Sequence, residues 1–290
     1  MTLDEIYAFG VNELTRAGIK DAKIDASIFL EEICNIKKGY LLAHGNEELN
    51  ETCGSSLEQR YIEAIKKRSE RIPLQHILGY TSFMGLRFKV NENVLIPRQD
   101  TEILVEEALK EVHDGMEILD MCTGSGCILI SLLKYTNGCI GVGADISEKA
   151  LEIARENSDA ILGEAMDITY SYVNSDLFEN IDGKFDVIVS NPPYIATNKI
   201  DSLEPEVKDY DPIGALDGGE DGLYFYQKII TEAPKYLKLG GSILFEIGYD
   251  EKDAVSKLLE ENGFTDIEVI KDYAGLDRVV KARRKICLTN

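Results

Sequence analysis

Asn191-Pro192-Pro193-Tyr194 follows directly on the apolar run Val187-Ile188-Val189 and Ser190. The Asn191 side-chain oxygen and the Pro192 carbonyl are both acceptors. Between them they can take the two hydrogens of a planar –NH2 group, whether amide or exocyclic amine. The Tyr194 ring can stack on the flat system that carries the amine. With both N–H bonds gripped, the nitrogen lone pair points out of the plane toward an electrophile. Pro192 and Pro193 make this display rigid. Neither has an N–H for a sheet ladder, and each holds φ at about −65°, so the chain leaves the strand along a fixed path. Asn-Pro alone is ordinary at a strand end. Four such residues in a chain that also carries a glycine-rich turn call for a chemical explanation.

That turn lies in Glu117-Ile118-Leu119-Asp120-Met121-Cys122-Thr123-Gly124-Ser125-Gly126, with an apolar helix from Ile128 to Leu133 after it. Strand, turn and helix in this order bring backbone N–H groups and a helix N-terminus to a ligand. Nineteen positions after Gly126, the strand Gly141-Val142-Gly143-Ala144-Asp145 ends in an acid. A carboxylate there can accept both hydroxyls of an adenosine ribose. Leu129 occupies the place of the third glycine of a dinucleotide fingerprint, which counts against a nicotinamide cofactor. A third strand region ends at Ser175-Asp176-Leu177-Phe178, where Asp176 and Leu177 would flank an adenine ring.

The elements that must position these groups follow from periodicity. Strands alternate with helices after residue 97, which predicts a doubly wound, mainly parallel sheet of Rossmann-like type with the ligand at the carboxyl ends of its strands. A helix is expected over Leu223–Leu237, a turn at Gly240-Gly241 and a strand from Ser242 to Ile247. Ile267–Ile270 and Arg278–Ala282 read as closing antiparallel strands. Asp100 or Thr101 is expected to cap a helix through Leu104 and Leu109, with Arg98 and Glu102 as surface charges. Ile195–Gly222 is polar and aperiodic, as expected of a functional loop or lid.

Residues 1–72 read as a small helical domain for recognising a partner. Thr2 and Glu5 suit a capping box, a second helix from near Asp21 carries Ile24, Ile28, Phe29 and Ile33, and Gly39, Gly45 and Asn46 punctuate the segment after it. Residues 73–96 read as a β-hairpin connector turning at Met84-Gly85. Residues 97–290 then form the domain that carries the chemistry.

A net charge of −21 opposes direct binding to a phosphate backbone, which relies on Lys and Arg. Cysteines 34, 53, 122, 127, 139 and 287 show no metal-ligand spacing, so buried thiols in a reducing compartment and no metal are expected. The start Met-Thr-Leu-Asp-Glu-Ile lacks the pattern of a signal peptide, and no run is apolar enough to span a bilayer. A cytoplasmic protein is the expectation.

The Asn191-Pro192-Pro193-Tyr194 motif resembles the signature of amino methyltransferases, which act on adenine, guanine or glutamine. Ile96-Pro97-Arg98, Asp100-Thr101-Glu102 and the glycine-rich turn extend the likeness. So do Asp211-Pro212, Leu216-Asp217-Gly218-Gly219-Glu220-Asp221-Gly222-Leu223, Asp272-Tyr273 and Asp277-Arg278. Together they resemble the release factor glutamine N5-methyltransferase family over essentially the whole chain. The resemblance implies that Cys122, Thr123, Gly124, Ser125, Gly126, Asp145 and Leu177 hold S-adenosylmethionine, which leaves as S-adenosylhomocysteine. It implies that Asn191 touches both cofactor and substrate. Residues 191–194 would hold the glutamine of the Gly-Gly-Gln motif of class 1 release factors, with Asn191, Pro192 and Tyr194 acting in the reaction. Two positions depart from the family pattern: Cys122 replaces a usual glycine, and Gln99 a common proline. A nucleic-acid amino methyltransferase, a ribosomal-protein glutamine methyltransferase and a non-catalytic cofactor-binding module are the competing readings.

Overall fold

The computed structural model describes residues 1–49, 55–163 and 168–286, which form two compact units. The first comprises Met1–Gly79 together with Glu204–Tyr210. Its helices are α1 (Leu3–Arg16), α2 (Ala22–Cys34), α3 (Lys38–His44), α4 (Ser55–Ser69) and α5 (Leu74–Leu78). The Thr2–Glu5 capping box is present, with Thr2 N–H donating to Glu5 Oε2 at 3.0 Å and Glu5 N–H to Thr2 Oγ1 at 3.3 Å. Ile6, Leu14, Phe29, Leu30, Tyr61 and Ile65 fill one core. Ile24 does not join it and is 58% exposed. The expected break at Gly39 is instead α3, whose Leu41 is buried.

The segment Glu204–Tyr210 is fastened into this unit by ions. Arg68 Nε donates to Asp25 Oδ2 at 2.7 Å and its Nη1 to Glu206 Oε1 at 3.0 Å. Arg71 Nη2 reaches Glu206 Oε2 at 2.6 Å, and the Tyr210 hydroxyl donates to the Glu70 carbonyl at 2.9 Å.

The second unit spans Tyr80–Leu203 and Asp211–Asn290. It opens with the hairpin β1 (Tyr80–Phe83) and β2 (Leu86–Lys89). Met84 and Gly85 both have positive φ, as a tight two-residue hairpin turn requires. Phe83 and Phe88 lie in one core with Leu104 and Leu133, so the hairpin packs as part of this unit. Next come α6 (Gln99–Glu111), β3 (Glu117–Met121), α7 (Cys127–Tyr135), β4 (Ile140–Asp145), α8 (Glu148–Leu162), β5 (Thr169–Asn174) and β6 (Phe185–Ser190). After a long connection follow α9 (Tyr224–Tyr236), β7 (Leu237–Glu246), α10 (Lys252–Glu261), β8 (Phe264–Lys271) and β9 (Asp277–Arg284).

The seven strands order as β5-β4-β3-β6-β7-β9-β8. β9 alone runs antiparallel, inserted between β7 and β8. The expected closing pair is thus one reversed strand and one that again runs with the rest. Gly240-Gly241 does not precede β7 but lies inside it, where the pairing with β6 shifts register. Helices α6, α7 and α8 cover one face and α9 and α10 the other. Strand order reverses between β3 and β6, and that reversal opens a crevice at their carboxyl ends.

Two local features shape the crevice floor. Leu129, where a dinucleotide fingerprint would have glycine, is fully buried. Close approach of α7 to the sheet comes instead from Gly141, where a β-carbon would lie 2.9 Å from Cδ1 of both Leu129 and Leu133. Asp120, fully buried at the end of β3, organises the turn into α7. Its Oδ2 accepts from the Thr123 hydroxyl at 2.6 Å and the Leu129 N–H at 3.3 Å, while Oδ1 has no partner. Burial pushes its pKa up to about 7, against those two hydrogen bonds.

The connection 195–222, expected as a functional loop or lid, carries short ordered turns. It contains 3-10 turns at Thr197–Ser202 and Ile213–Ala215. Ile195 N–H donates to the Leu216 carbonyl at 3.0 Å, and Gly218 N–H returns to the Ile195 carbonyl at 2.9 Å.

Two stability predictions result. Gly141→Ala should cost about 1–3 kcal/mol by overpacking, measured by urea denaturation; an unchanged midpoint would show that α7 yields freely. For Asp120, the folded pKa near 7 lies above an ordinary carboxylate value of about 4. Between those values the unfolded chain has released a proton that the folded chain keeps, so this group's effect on stability becomes less favourable as pH rises from about 4 to about 7. The stability of Asp120→Asn relative to the parent should therefore increase over that window. Parallel stability curves for the two proteins would refute the assignment.

Candidate active site

A cavity of about 400 Å³ occupies the crevice. Its wall brings together Cys122, Thr123, Gly124, Ser125, Asp145, Leu177, Asn191 and Pro193, which come from four separate strand ends. Gly126 stands behind the wall with φ 79°, and an added β-carbon there would meet the Tyr172 hydroxyl at 2.9 Å. Cys122 takes φ 61°, so the residue that replaces glycine does adopt the left-handed backbone that glycine favours. Gln99 is the first residue of α6, a position where the missing N–H of proline is tolerated but not needed.

Asp145 is held by backbone donors. Its Oδ2 accepts from Gly124 N–H at 2.9 Å and its Oδ1 from Ser147 N–H at 2.9 Å. A carboxylate has about four acceptor directions, so these bonds leave capacity for a ligand hydroxyl. Burial raises the Asp145 pKa, against these backbone bonds. Leu177 has φ 50°, a conformation supported by the Ser175 hydroxyl donating to the Leu177 carbonyl at 2.7 Å. Asp176 lines the same wall.

Asn191 stands at the carboxyl end of β6. Its Nδ2 donates to Thr101 Oγ1 at 3.3 Å, which leaves Oδ1 as the end of the amide available to a ligand. Thr101 is inside α6, not its cap; Arg98 takes the N-cap position without a side-chain bond. Arg98 and Glu102 are not idle surface charges either. Arg98 Nη2 pairs with the buried Asp211 at 2.5 Å, and Glu102 accepts from the hairpin's Met84 N–H at 2.6 Å.

Tyr194 does not line this cavity but a second one of about 440 Å³, together with Glu251 and Arg278. Its hydroxyl donates to Glu246 Oε1 at 3.2 Å, and burial pushes the phenol pKa well up. Pro192 is buried and lines neither cavity. The backbone after Tyr194 is clasped by glycines. A β-carbon on Gly218 would lie 2.7 Å from Tyr194 Cα, and one on Gly222 would meet the Tyr194 carbonyl oxygen at 2.5 Å. The Gly-rich stretch 216–223 is therefore a seat for the motif.

Two polar groups here do not stand out from sequence pattern, namely Glu246 and Glu251. Glu246 did leave a signal, because an acid inside the apolar strand Ile243-Leu244-Phe245-Glu246-Ile247 is seldom buried without a partner. Arg278 donates to Asp272 Oδ2 at 3.1 Å and lies 3.4 Å from Asp100. Burial pushes the Glu251 pKa up to about 7, against the bond it accepts from Gly248 N–H.

Cys34, Cys127 and Cys139 are buried and Cys122 is half-buried, none of them bridged. Cys53 and Cys287 lie outside the described residues. Among the described residues no group of three His, Cys, Asp or Glu side chains is placed to hold a metal ion, and no helix is long and apolar enough to cross a membrane.

Residues 5–79 match the PrmC N-terminal domain and residues 98–204 the methyltransferase small domain. A methyltransferase structure from Pyrococcus furiosus superposes with a TM-score of 0.52 at 18% identity, covering 80% of this chain and 100% of that one, which is a likeness of fold. The release factor glutamine methyltransferase of Clostridium botulinum is 40% identical over 98% of this chain and 100% of its own length. That of Fusobacterium nucleatum is 38% identical over 99% of this chain and 80% of its own. On the strength of this full-length similarity, with the motif and the glycine turn at one crevice, the chain belongs to the release factor glutamine methyltransferase family.

Proposed function

We propose that this protein transfers a methyl group from S-adenosylmethionine to the side-chain amide nitrogen of the glutamine in the Gly-Gly-Gln motif of class 1 release factors. The observation that carries the reading is Asn191, anchored through Nδ2 so that its acceptor end is available in a cavity shared with Asp145 and the glycine turn. The donor set suits the cofactor. Asp145 keeps acceptor capacity for a ribose hydroxyl, Leu177 offers an apolar face for adenine, and residues 122–126 allow close backbone approach. When bound, S-adenosylmethionine supplies an electrophilic methyl group on a sulfonium.

The protein's task is then position and electrostatics. An amide nitrogen is a poor nucleophile because its lone pair is delocalised into the carbonyl. Asn191 Oδ1 accepts from one of its N–H groups and so fixes its approach. The same acceptor stabilises positive charge as it develops on nitrogen, while Pro192, buried and outside both cavities, keeps the strand exit rigid. Tyr194 lines the second cavity with its hydroxyl held on Glu246, and no general base is assigned. The helical unit is assigned to recognition of the release factor, and the reading places the protein in the cytoplasm.

The test offers labelled S-adenosylmethionine and, side by side, purified release factor, ribosomal proteins and bulk nucleic acid, with product peptides mapped by mass spectrometry. A single methyl on the Gly-Gly-Gln glutamine is expected. Label in RNA, DNA or a ribosomal protein instead would overturn the substrate assignment, and cofactor binding without turnover would point to a binding module. Asn191→Ala should lower the transfer rate by about 10²-fold or more, the scale of losing one preorganised polar contact, with the thermal midpoint little changed. Near-normal turnover would sink the role given to Asn191.

A further inference from the structure

The wall of the 400 Å³ cavity carries one cation. Among the described residues that line it, Arg98 is the only Lys, Arg or His, set against the acids Asp145 and Asp176. Its neighbours in the chain fix where along the crevice it stands. Arg98 is the N-cap of α6, and Thr101, in the first turn of that helix, accepts from Asn191 Nδ2 at 3.3 Å. Arg98 is therefore within a helical turn of the contact with the β6 end, whereas Asp145 ends β4 and Leu177 follows β5, on the other side of β3. Its guanidinium is only partly used. Nη2 pairs with Asp211 Oδ2 at 2.5 Å, and Asp211 is the only hydrogen-bond partner of the Arg98 side chain among the described residues. The Asp211 side chain is fully buried, while that of Arg98 is 40% exposed. An arginine has five N–H donors, so this pair leaves most of the fork available to a second carboxylate.

Under the proposed reading, Leu177 faces the adenine of S-adenosylmethionine, Asp145 its ribose, and Asn191 the methyl acceptor. The amino-acid end of the cofactor, with its carboxylate, is left without a protein partner. Two acids share the wall, so a ligand carboxylate set down among them needs a cation to offset its desolvation and the like charge. Arg98 lies toward the end of the crevice that adenine and ribose leave open, and a guanidinium keeps its charge throughout the physiological pH range. Its planar fork also matches a carboxylate with two parallel N–H donors. We propose that Arg98 binds the α-carboxylate of S-adenosylmethionine and that Asp211 is a positioning residue, holding the guanidinium at the cavity wall. The inference deepens the cofactor part of the proposed reading and rests on it. A strut that only ties the start of α6 to the 195–222 connection would affect all ligands of the cavity alike, whereas a carboxylate receptor affects only those that carry the group.

Calorimetry on the full-length protein compares binding of S-adenosylmethionine with binding of its decarboxylated form, which lacks only that group. Arg98→Met removes the charge and keeps the reach of the side chain. It should weaken S-adenosylmethionine binding by about 10- to 100-fold, the scale of a lost hydrogen bond to a charged group. Binding of the decarboxylated form should stay within about three-fold of the parent, because Asp145 and the glycine turn are untouched. Retained binding of that form also shows, in each variant, that the cavity is folded. Arg98→Lys keeps the charge without the fork and should fall between the parent and Arg98→Met. Asp211→Asn should cost about three-fold or more, again only for the ligand that carries the carboxylate; binding of both ligands unchanged in that variant would remove Asp211 from the positioning role. Equal losses for the two ligands in both Arg98→Met and Arg98→Lys, or S-adenosylmethionine binding unchanged in Arg98→Met, would overturn the assignment of Arg98. A parent protein that binds neither ligand would instead sink the cofactor reading on which the inference rests.

Discussion

A strand that runs into two prolines must leave its sheet, and the direction of that exit governs everything around it. β6 lies beside β3 at the point where strand order reverses, so its end opens onto the crevice. Pro192 and Pro193 restrict the path, and Gly218 and Gly222 receive the backbone where a side chain would collide with it. Rigidity here has a chemical purpose under the proposed reading. An amide acceptor offers little intrinsic nucleophilicity, so placement has to supply what reactivity does not.

Four buried or half-buried acids stand in or behind the walls of the two cavities. Asp120, Asp145, Glu246 and Glu251 come from three strand ends and the approach to α10, and burial raises the pKa of each. Each is partnered mainly by backbone N–H groups or hydroxyls, with Arg278 set near Glu246. Such a setting is costly for anions and favourable for an incoming cation.

The parts of the site that are contiguous in the chain are legible in the sequence alone. The Asn-Pro-Pro-Tyr motif, the glycine turn and Asp145 each occupy a few residues at a strand end, and pattern alone orders strand, turn and helix. What pattern could not show are the pairings that the sheet creates. Asn191 meets Thr101 across 90 positions, and Tyr194 meets Glu246 only because β7 lies beside β6. Thr101 reads as a helix cap because Thr near a helix start commonly is one. Position inside α6 gives it another partner. Gly240-Gly241 reads as a turn for a similar reason, since a register shift inside a strand and a true turn share the same glycine signal. The 195–222 connection lacks periodicity because its order comes from backbone bonds between its two ends, such as Ile195 to Leu216 and Gly218, and not from a repeating face.

The segment Glu204–Tyr210 has a bearing on how the chain is made. The helical unit is complete only when Glu206 reaches Arg68 and Arg71, and Tyr210 reaches Glu70. Those residues leave the ribosome long after Gly79, with most of the sheet's parallel strands between them. At a few to twenty residues per second the interval is on the order of ten seconds. Through it Arg68, one-tenth exposed in the finished fold, has only Asp25 as an ionic partner. The first unit to emerge is thus not the first to be finished. Its last ion pairs wait on the synthesis of the unit that carries the chemistry.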